Sequence, residues 1–152
     1  MGDALRDSLT HELHCQFYDY WRAVAPAGGL LPGRQHIYPE DIPRLLPCLY
    51  MRDVVRGPDG IRFRTRLMGT KLVQVMGRDT TGQFMEEAFD PDYVARQREV
   101  YLRVIESRSP DLIEMQAPIH DKEHIRYARL LLPLAADGRT VDILLGMIVF
   151  IR

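Results

Sequence analysis

The chain has 152 residues, of which 46% are hydrophobic, and this length and composition predict one folded domain. The formal net charge is −1, so no overall field attracts nucleic acid or an anionic membrane. Two cysteines, Cys15 and Cys48, are too few for a disulfide framework or a cysteine-rich zinc site. The chain starts with charged residues in place of an apolar signal core. We therefore expect an unprocessed, soluble protein of the reducing cytoplasm.

The N-terminal segment has the period of an amphipathic helix. Between residues 3 and 25, apolar side chains recur at every third or fourth position. They are Leu5, Leu9, Leu13, Phe17, Trp21 and Val24. Pro26 and Gly28 end this pattern. The proline-rich stretch 31–49 then predicts an irregular connection with at most one short helix, around residues 40–46.

A hairpin follows the connection. Residues 49–55 and 61–67 have strand character, and the turn-rich residues 57–60 join them. In the second strand, arginines alternate with apolar or β-branched residues, which is the period of a half-buried strand. The arginines are Arg62, Arg64 and Arg66. We favour a solvated face beside Asp53 over an anion site for them, although a place at a pocket edge stays open for Arg66. The alternate residues, which then point inward, are Phe63, Thr65 and Leu67.

Two further helices are predicted. The first is short, at residues 70–76, with Thr70 as its cap and Gly77 in the left-handed position that ends it. The second is long, begins at Pro91 and ends before Pro110.

Three strand candidates close the chain, at residues 112–119, 125–134 and 141–151. The last strand is apolar in both alternating sets, so both of its faces need cover, and the N-terminal helix is the candidate for one of them. This order of elements predicts an α+β fold, in which a five-stranded antiparallel sheet has helices packed on one face and an extra N-terminal helix. We take residues 1–30 as that helix and residues 31–152 as the remainder of a single compact domain.

No pattern announces catalysis or metal binding. The segment HDKEH offers nitrogen and oxygen ligands for a divalent metal, but its position between two strands favours a solvated hairpin loop. Its ligand-type residues are His120, Asp121, Glu123 and His124. Asp90 is interpreted as a helix N-cap instead of a catalytic acid. Residues 77–82, GRDTTG, lack the Lys-Ser/Thr pair of a phosphate loop and are interpreted as a turn. We therefore predict no catalytic residue, no metal ligand and no enzymatic activity.

Several short motifs occur in a fixed order along the chain. They are YWR at 20–22, LPGR at 31–34, LLP at 45–47, RLMGT at 66–70 and GRDTTG at 77–82. With the order of elements, this series resembles the PAS domain family, specifically its stand-alone bacterial members with a Trp-containing N-terminal helix and an LPxR segment. The resemblance implies a sensory or interaction module that has a pocket between the sheet and its helices and often associates with itself. It implies no particular ligand.

The resemblance also bears on cofactors. Flavin photoreceptors of this fold carry a cysteine in the short helix after the second strand, and residues 70–76 contain none. Haem-binding members of the oxygen-sensing type take an axial histidine from the long connecting helix, and residues 91–108 contain none. We therefore expect neither a covalent flavin nor haem.

A pocket of the implied kind would be lined by thioethers and aromatic side chains, which shape adaptable apolar cavities. The candidate ligand-binding residues are Phe63, Thr65, Leu67, Met76, Tyr101, Met115, Tyr127 and Met147. The candidate interface residues, on the N-terminal helix, are Leu5, Leu9, Leu13 and Phe17.

The leading hypothesis is a non-enzymatic sensory module. It binds an apolar or mixed-polarity small molecule and relays the change through the N-terminal helix to a partner protein or a second copy. The alternative is a ligand-free interaction or homodimerisation domain. A small enzyme is the third option, since a fold does not decide function, and its mark would be a carboxylate or histidine with a strongly shifted pKa in a cleft. No nucleic acid or membrane partner is expected.

Overall fold

The core of the fold is one antiparallel sheet of five strands, seen in a computed structural model that describes residues 3–118, 122 and 124–151. The strands β1 to β5 are Leu49–Gly57, Gly60–Met68, Asp111–Gln116, Arg126–Leu134 and Ile143–Ile151. Their order across the sheet is β2-β1-β5-β4-β3, so β2 and β3 form the edges. The predicted sheet is confirmed, and the longest apolar runs belong to its central strand, β5, and to the adjacent strand β4.

Helices cover both faces of this sheet. The helices α1 to α5 are Ala4–Ser8, Glu12–Val24, Thr70–Met76, Met85–Ala88 and Pro91–Ser107. Within the described residues, no helix is long and apolar enough to cross a membrane. The predicted short and long helices are confirmed at residues 70–76 and from Pro91, and Gly77 ends the short one with a φ of 82°. The single-turn helix α4 was not predicted from the sequence.

The N-terminal helix is broken, so the prediction of one continuous helix is wrong. Leu9 leaves the helical conformation at φ −73° and ψ 123°, and its side chain turns into the core with 8% of it exposed. The Ser8 hydroxyl donates to the Leu5 carbonyl at 2.7 Å, a local bond that competes with continuation of a helix. The break lets α1 fold back, and Arg6 binds Asp19 of α2 with Nε and Oδ1 2.8 Å apart.

α2 covers the outer face of β4 and β5, as the doubly apolar last strand predicted. The indole Nε1 of Trp21 donates to the Pro133 carbonyl at 2.9 Å, and the His14 imidazole Nε2 lies 3.1 Å from the Met147 carbonyl. Phe17 is 1% exposed. Two candidate interface residues, Leu9 and Phe17, are therefore buried in the chain's own core and offer no surface to a partner. Leu5 and Leu13 are half-buried, and their role at an interface stays a prediction.

A β-bulge in β2 reverses the predicted direction of Leu67. Met51 of β1 pairs with Leu67 while Arg52 pairs with Thr65, so Arg66 is the extra residue. The alternation of the strand changes phase at that point. Leu67 consequently lies on the outer face and is 44% exposed, so the prediction that it points inward with Thr65 is wrong.

The arginines of β2 lie on a solvated face, which confirms the favoured interpretation. Arg66 Nη1 is 2.9 Å from Asp53 Oδ1, and Arg64 Nη2 is 3.6 Å from Asp53 Oδ2. Arg62 pairs instead with Glu86 and covers the ring of Phe84. Exposed pairs of this kind contribute little to stability, about 0–1 kcal/mol each.

The irregular connection contains three single 3₁₀ turns, Arg34–His36, Pro39–Asp41 and Leu46–Cys48, where the sequence predicted at most one short helix around residues 40–46. The turn Leu46–Cys48 lies against Gly69, so the motifs LLP and RLMGT are in contact in the fold. A Cβ on Gly69 would lie 2.3 Å from the Pro47 carbonyl oxygen and 2.5 Å from that of Leu46. Gly69 also serves as the N-cap of α3, one residue before the predicted cap. The glycine is therefore required by a close approach of two backbones.

We expect the substitution Gly69→Ala to lower the free energy of unfolding by about 1–3 kcal/mol, because two backbone carbonyls must move to admit a methyl group. Urea denaturation followed by circular dichroism measures this change. The matched control is Gly57→Ala, since the nearest atom to a Cβ there is the Gly60 carbonyl oxygen at 3.9 Å. Equal stability of the two variants would contradict the close approach.

Candidate functional site

A cavity lies between the inner face of the sheet and the helices α3 and α5. The volume of this cavity is about 40 Å³, which is room for about three waters. It is lined by four strands, by α3 and α5, by the loop after α3, and by the segments before α5 and after β3. Of the candidate ligand-binding residues, Thr65, Met76 and Tyr127 line this cavity. It lies where the resemblance implied a pocket, but it is narrow in this conformation.

The sheet side of the cavity is polar and buried. Arg52 and Arg129 both line it, and their exposed fractions are 6% and 1%. Arg52 donates to the Tyr101 hydroxyl, and Arg129 donates to the Gln97 amide oxygen. Arginines are rarely buried without an ionic partner, so this pair distinguishes the site from an ordinary core.

Tyrosines surround the two guanidinium groups. Tyr50 and Tyr101 join their hydroxyl oxygens at 3.1 Å, and the guanidinium of Arg52 lies 4.5 Å from the ring centroid of Tyr50. Burial raises the pKa of Tyr127 to about 12 and raises the pKa values of Tyr50 and Tyr93 as well. These phenols are neutral at pH 7 and supply hydrogen bonds instead of negative charge.

Gly146 of β5 makes room for the Tyr50 ring. A Cβ at this position would lie 2.3 Å from two ring carbons of Tyr50. The ring therefore rests against the bare backbone of the neighbouring strand, which places its hydroxyl beside Tyr101. The arrangement explains a glycine in the middle of an otherwise apolar strand.

The rest of the lining is apolar. It comes from the inner face of β2 and β5 and from α3, which faces the sheet. The residues are Met68, Leu72, Val75, Met76, Ile148 and Phe150. Two of them are methionines, whose unbranched thioether chains adapt readily to a guest. A few buried polar groups among adaptable apolar side chains are typical of a small-molecule site.

The GRDTTG motif forms one end of the cavity, where the sequence predicted a turn. Thr80 is fully buried, and its hydroxyl lies 3.3 Å from the Thr65 hydroxyl. Asp79 accepts from the backbone N–H of Thr81 at 2.9 Å, which lowers the pKa of Asp79 together with the bond from the Thr81 hydroxyl. The Gly82 N–H donates to the Thr65 carbonyl at 2.7 Å. The motif thus fixes the loop on β2 and carries no phosphate-loop geometry.

The remaining candidates lie elsewhere. Phe63 and Tyr101 stack edge to face at 5.0 Å and do not line the cavity, although Tyr101 holds Arg52. Met115 accepts from the Tyr127 hydroxyl at 3.6 Å, also behind the lining. Met147 is wrongly predicted as lining, because its neighbour Ile148 faces the cavity and alternation sends Met147 to the α2 side.

The sequence interpretation missed Tyr50, Arg52, Tyr93 and Arg129. A signal for them exists, because YMR at 50–52 and YAR at 127–129 repeat a Tyr-x-Arg pattern on two strands. Residues two apart on a strand share a face, and tyrosine is frequent at buried positions. The repeated arginine was therefore a sign of a buried charge.

A histidine with a strongly shifted pKa is present, but it lies outside the cavity. Burial lowers the pKa of His14 to about 4, and its ring contacts the outer face of β5. His14 is therefore no base for chemistry in the cavity.

The choice between a metal site and a loop at HDKEH falls mainly outside the described residues, which include only Lys122 and His124 of that segment. Where the chain is described, no group of three or more His, Cys, Asp or Glu side chains is placed to hold a metal ion. The solvated loop predicted for this segment therefore stays a prediction.

Comparison with known proteins gives two kinds of match. The profile of a family described as PAS domain matches residues 9–149. Among solved structures, the LOV protein of Rhodobacter sphaeroides is 14% identical, with a TM-score of 0.52 over 90% of this chain and 67% of that chain. Its d2 variant gives the same identity, coverage and score. Identity this low indicates a shared fold alone. No curated protein matches the chain.

Proposed function

The chain belongs to the PAS domain family, and on that premise we propose that it is a non-enzymatic sensory module that binds a small molecule between sheet and helices. The observation that carries the proposal is the cavity, with its buried polar floor and its adaptable apolar wall. Its polar side chains are guanidinium groups, phenols and hydroxyls, all protonated or neutral at pH 7. Such groups hold a ligand, and none of them is a general base.

The narrowness of the cavity bears on how a ligand enters. Small-molecule sites usually enclose about 300–1,000 Å³, against about 40 Å³ here. A ligand must therefore displace side chains, and the thioethers of Met68 and Met76 are the ones that rearrange most readily. Binding and rearrangement are then coupled, which is what a sensor requires.

β5 offers a route for the relay. Ile148 and Phe150 face the cavity, while the carbonyl of Met147, the residue before Ile148, contacts His14 of α2. A displacement of the strand by the ligand is thereby passed to the N-terminal helix on the other face. From there the signal reaches a partner protein or a second copy, through surface that includes the half-buried Leu5 and Leu13.

Native mass spectrometry of the purified protein, followed by a thermal-shift screen with small metabolites, tests the proposal. We expect a retained compound or a ligand that raises Tm by about 5–10 °C at a hundredfold excess over its Kd. The variant Met76→Phe, which fills the cavity, should lose this shift. Val73→Phe on the same helix should keep it, because Val73 does not line the cavity. No retained compound and no shift from any metabolite would overturn the proposal.

A further inference from the structure

The cavity contains more positive than negative charge. Two guanidinium groups, those of Arg52 and Arg129, are almost fully buried beside it. One carboxylate accompanies them among the described residues, that of Asp111, whose Oδ2 lies 3.6 Å from Arg129 Nη2. A buried charge is costly unless it is paired, and the described residues provide one counter-charge for the two guanidinium groups.

Of the two guanidinium groups, that of Arg52 has no ionic partner among the described residues. Within the described ranges, no carboxylate lies within 4 Å of it, and its Nε has no hydrogen-bond acceptor. Its neighbours are the hydroxyl of Tyr101 and the ring faces of Tyr50 and Phe89, at 4.5 and 5.6 Å from the guanidinium carbon. Aromatic faces attract a cation more weakly than a carboxylate does inside a protein. The tyrosines add no charge, since burial raises the pKa values of Tyr50 and Tyr93.

Arg129 presents an open edge as well. Its Nη1 is bound to Gln97, while its Nε and Nη2 have no hydrogen-bond acceptor. Asp111 is close enough for attraction but not for a hydrogen bond, and its Oδ2 is itself without a donor. Both guanidinium carbons lie within 6 Å of the Tyr101 ring centroid, at 5.8 and 5.6 Å. The guanidinium groups of Arg52 and Arg129 therefore both lie beside the Tyr101 ring, at the polar end of the cavity.

The shape of the site limits the anion. The wall around the arginines is hydrocarbon and thioether, and it includes Met68 and Phe150 of the sheet and Leu72 and Met76 of α3. A second charge on the ligand would have to be buried against this wall, which is unfavourable. A planar carboxylate matches the fork of a guanidinium group, and an apolar body matches the wall.

From these contacts we propose that the cavity recognises a small monocarboxylate with an apolar body, whose carboxylate is bound by Arg52 with Arg129 as the second cation. This assignment rests on the proposed sensory function and adds the chemical class of its ligand. The carboxylate supplies a second counter-charge at the sheet, and its short aliphatic or aryl body lies against α3.

Isothermal titration calorimetry with benzoate and hexanoate, each against its neutral amide, tests the assignment in the wild-type protein. We expect the carboxylates to bind at least about tenfold more tightly than benzamide and hexanamide. The variant Arg52→Gln should lose about 10–100-fold in carboxylate affinity and leave amide affinity unchanged. Arg64→Gln, which removes an exposed arginine of the neighbouring strand, should change neither.

The outcomes separate this inference from the proposed function. Equal binding of acids and amides, or preference for inorganic phosphate, overturns the carboxylate assignment while ligand binding stands. Undiminished carboxylate binding by a folded Arg52→Gln variant overturns the role of Arg52. If Arg52→Gln does not fold, the comparison of acid with amide in the wild-type protein still decides. Absence of binding by every probe, together with an empty cavity in native mass spectrometry, overturns both proposals.

Discussion

Replacing Trp21 by alanine is expected to lower the free energy of unfolding by about 3–5 kcal/mol. The indole is 6% exposed and packs beside Tyr18, with ring centroids 5.7 Å apart. Its Nε1 also donates to the Pro133 carbonyl at 2.9 Å. Alanine would remove the packing and leave that buried carbonyl without its donor, and both losses destabilise the protein.

The hydrogen bond from Trp21 to Pro133 lies at a position where β3 no longer pairs with β4. β3 pairs with β4 only as far as Leu131, so Pro133 lies beyond the end of β3 and lacks a neighbour on that side. Trp21 supplies the donor that a longer β3 would have supplied. The indole of α2 thus satisfies a backbone carbonyl of β4 that has no donor from β3.

The variant Trp21→Phe separates packing from hydrogen bonding. It keeps an aromatic ring and loses the N–H, so we expect a loss of about 1–3 kcal/mol. Denaturation is best followed by circular dichroism, because Trp21 is the only tryptophan and its fluorescence disappears in both variants. A loss below 1 kcal/mol for Trp21→Ala would contradict the docking of α2 on the sheet.

Acid is expected to destabilise the protein through His14, by about 2–3 kcal/mol between pH 6.5 and pH 4. Burial is the main cause that lowers the pKa of His14 to about 4, from an ordinary value of 6.5. The neighbouring His11, whose ring centroid is 5.5 Å away, lowers this pKa further when it is charged.

The sign follows from proton uptake. Between pH 6.5 and pH 4 the unfolded chain protonates His14 while the folded chain keeps it neutral, so the unfolded state binds more protons. Stability therefore falls as the pH falls through this window and is independent of His14 above it. The distance of 3.1 Å to the Met147 carbonyl assigns the ring proton to Nε2, because a carbonyl only accepts.

Urea unfolding at several pH values between 4.5 and 7.5 measures this dependence. The variant His14→Leu should flatten the curve in that range, whereas His11→Asn should retain most of its slope. A slope that survives in His14→Leu would assign the acid sensitivity to other groups. Carboxylates such as Asp3 and Asp79, whose pKa values are lowered by hydrogen bonds, contribute below this range.

Much of the fold follows from local patterns. The alternation in β2, the left-handed Gly77 and the proline at the start of α5 act over a few residues, so the sequence predicts them directly. The bulge at Arg66 is different, because it depends on the register between β1 and β2. That register is not visible in the local pattern of β2 alone. Leu67 was misplaced for this reason.

The site was harder to predict than the fold. Thr65, Met76 and Tyr127 were found because small, apolar or aromatic residues on inward positions are ordinary lining. Arg52 and Arg129 were missed because arginine is usually a surface residue, and its burial depends on tertiary contacts with Tyr101 and Gln97. The buried arginines, which distinguish this site from an ordinary core, were therefore the residues that the sequence analysis did not predict.

The bulge at Arg66 has a consequence for the curvature of the sheet. If Arg66 were deleted, Thr65 and Met68 would stand two positions apart and share a face by simple alternation, as they already share the cavity. The extra residue is therefore not needed to choose which side chains meet a guest. Bulges bend a strand and increase its twist, so the extra residue alters the path of this edge strand beside the cavity, while the pair that lines the cavity stays the same.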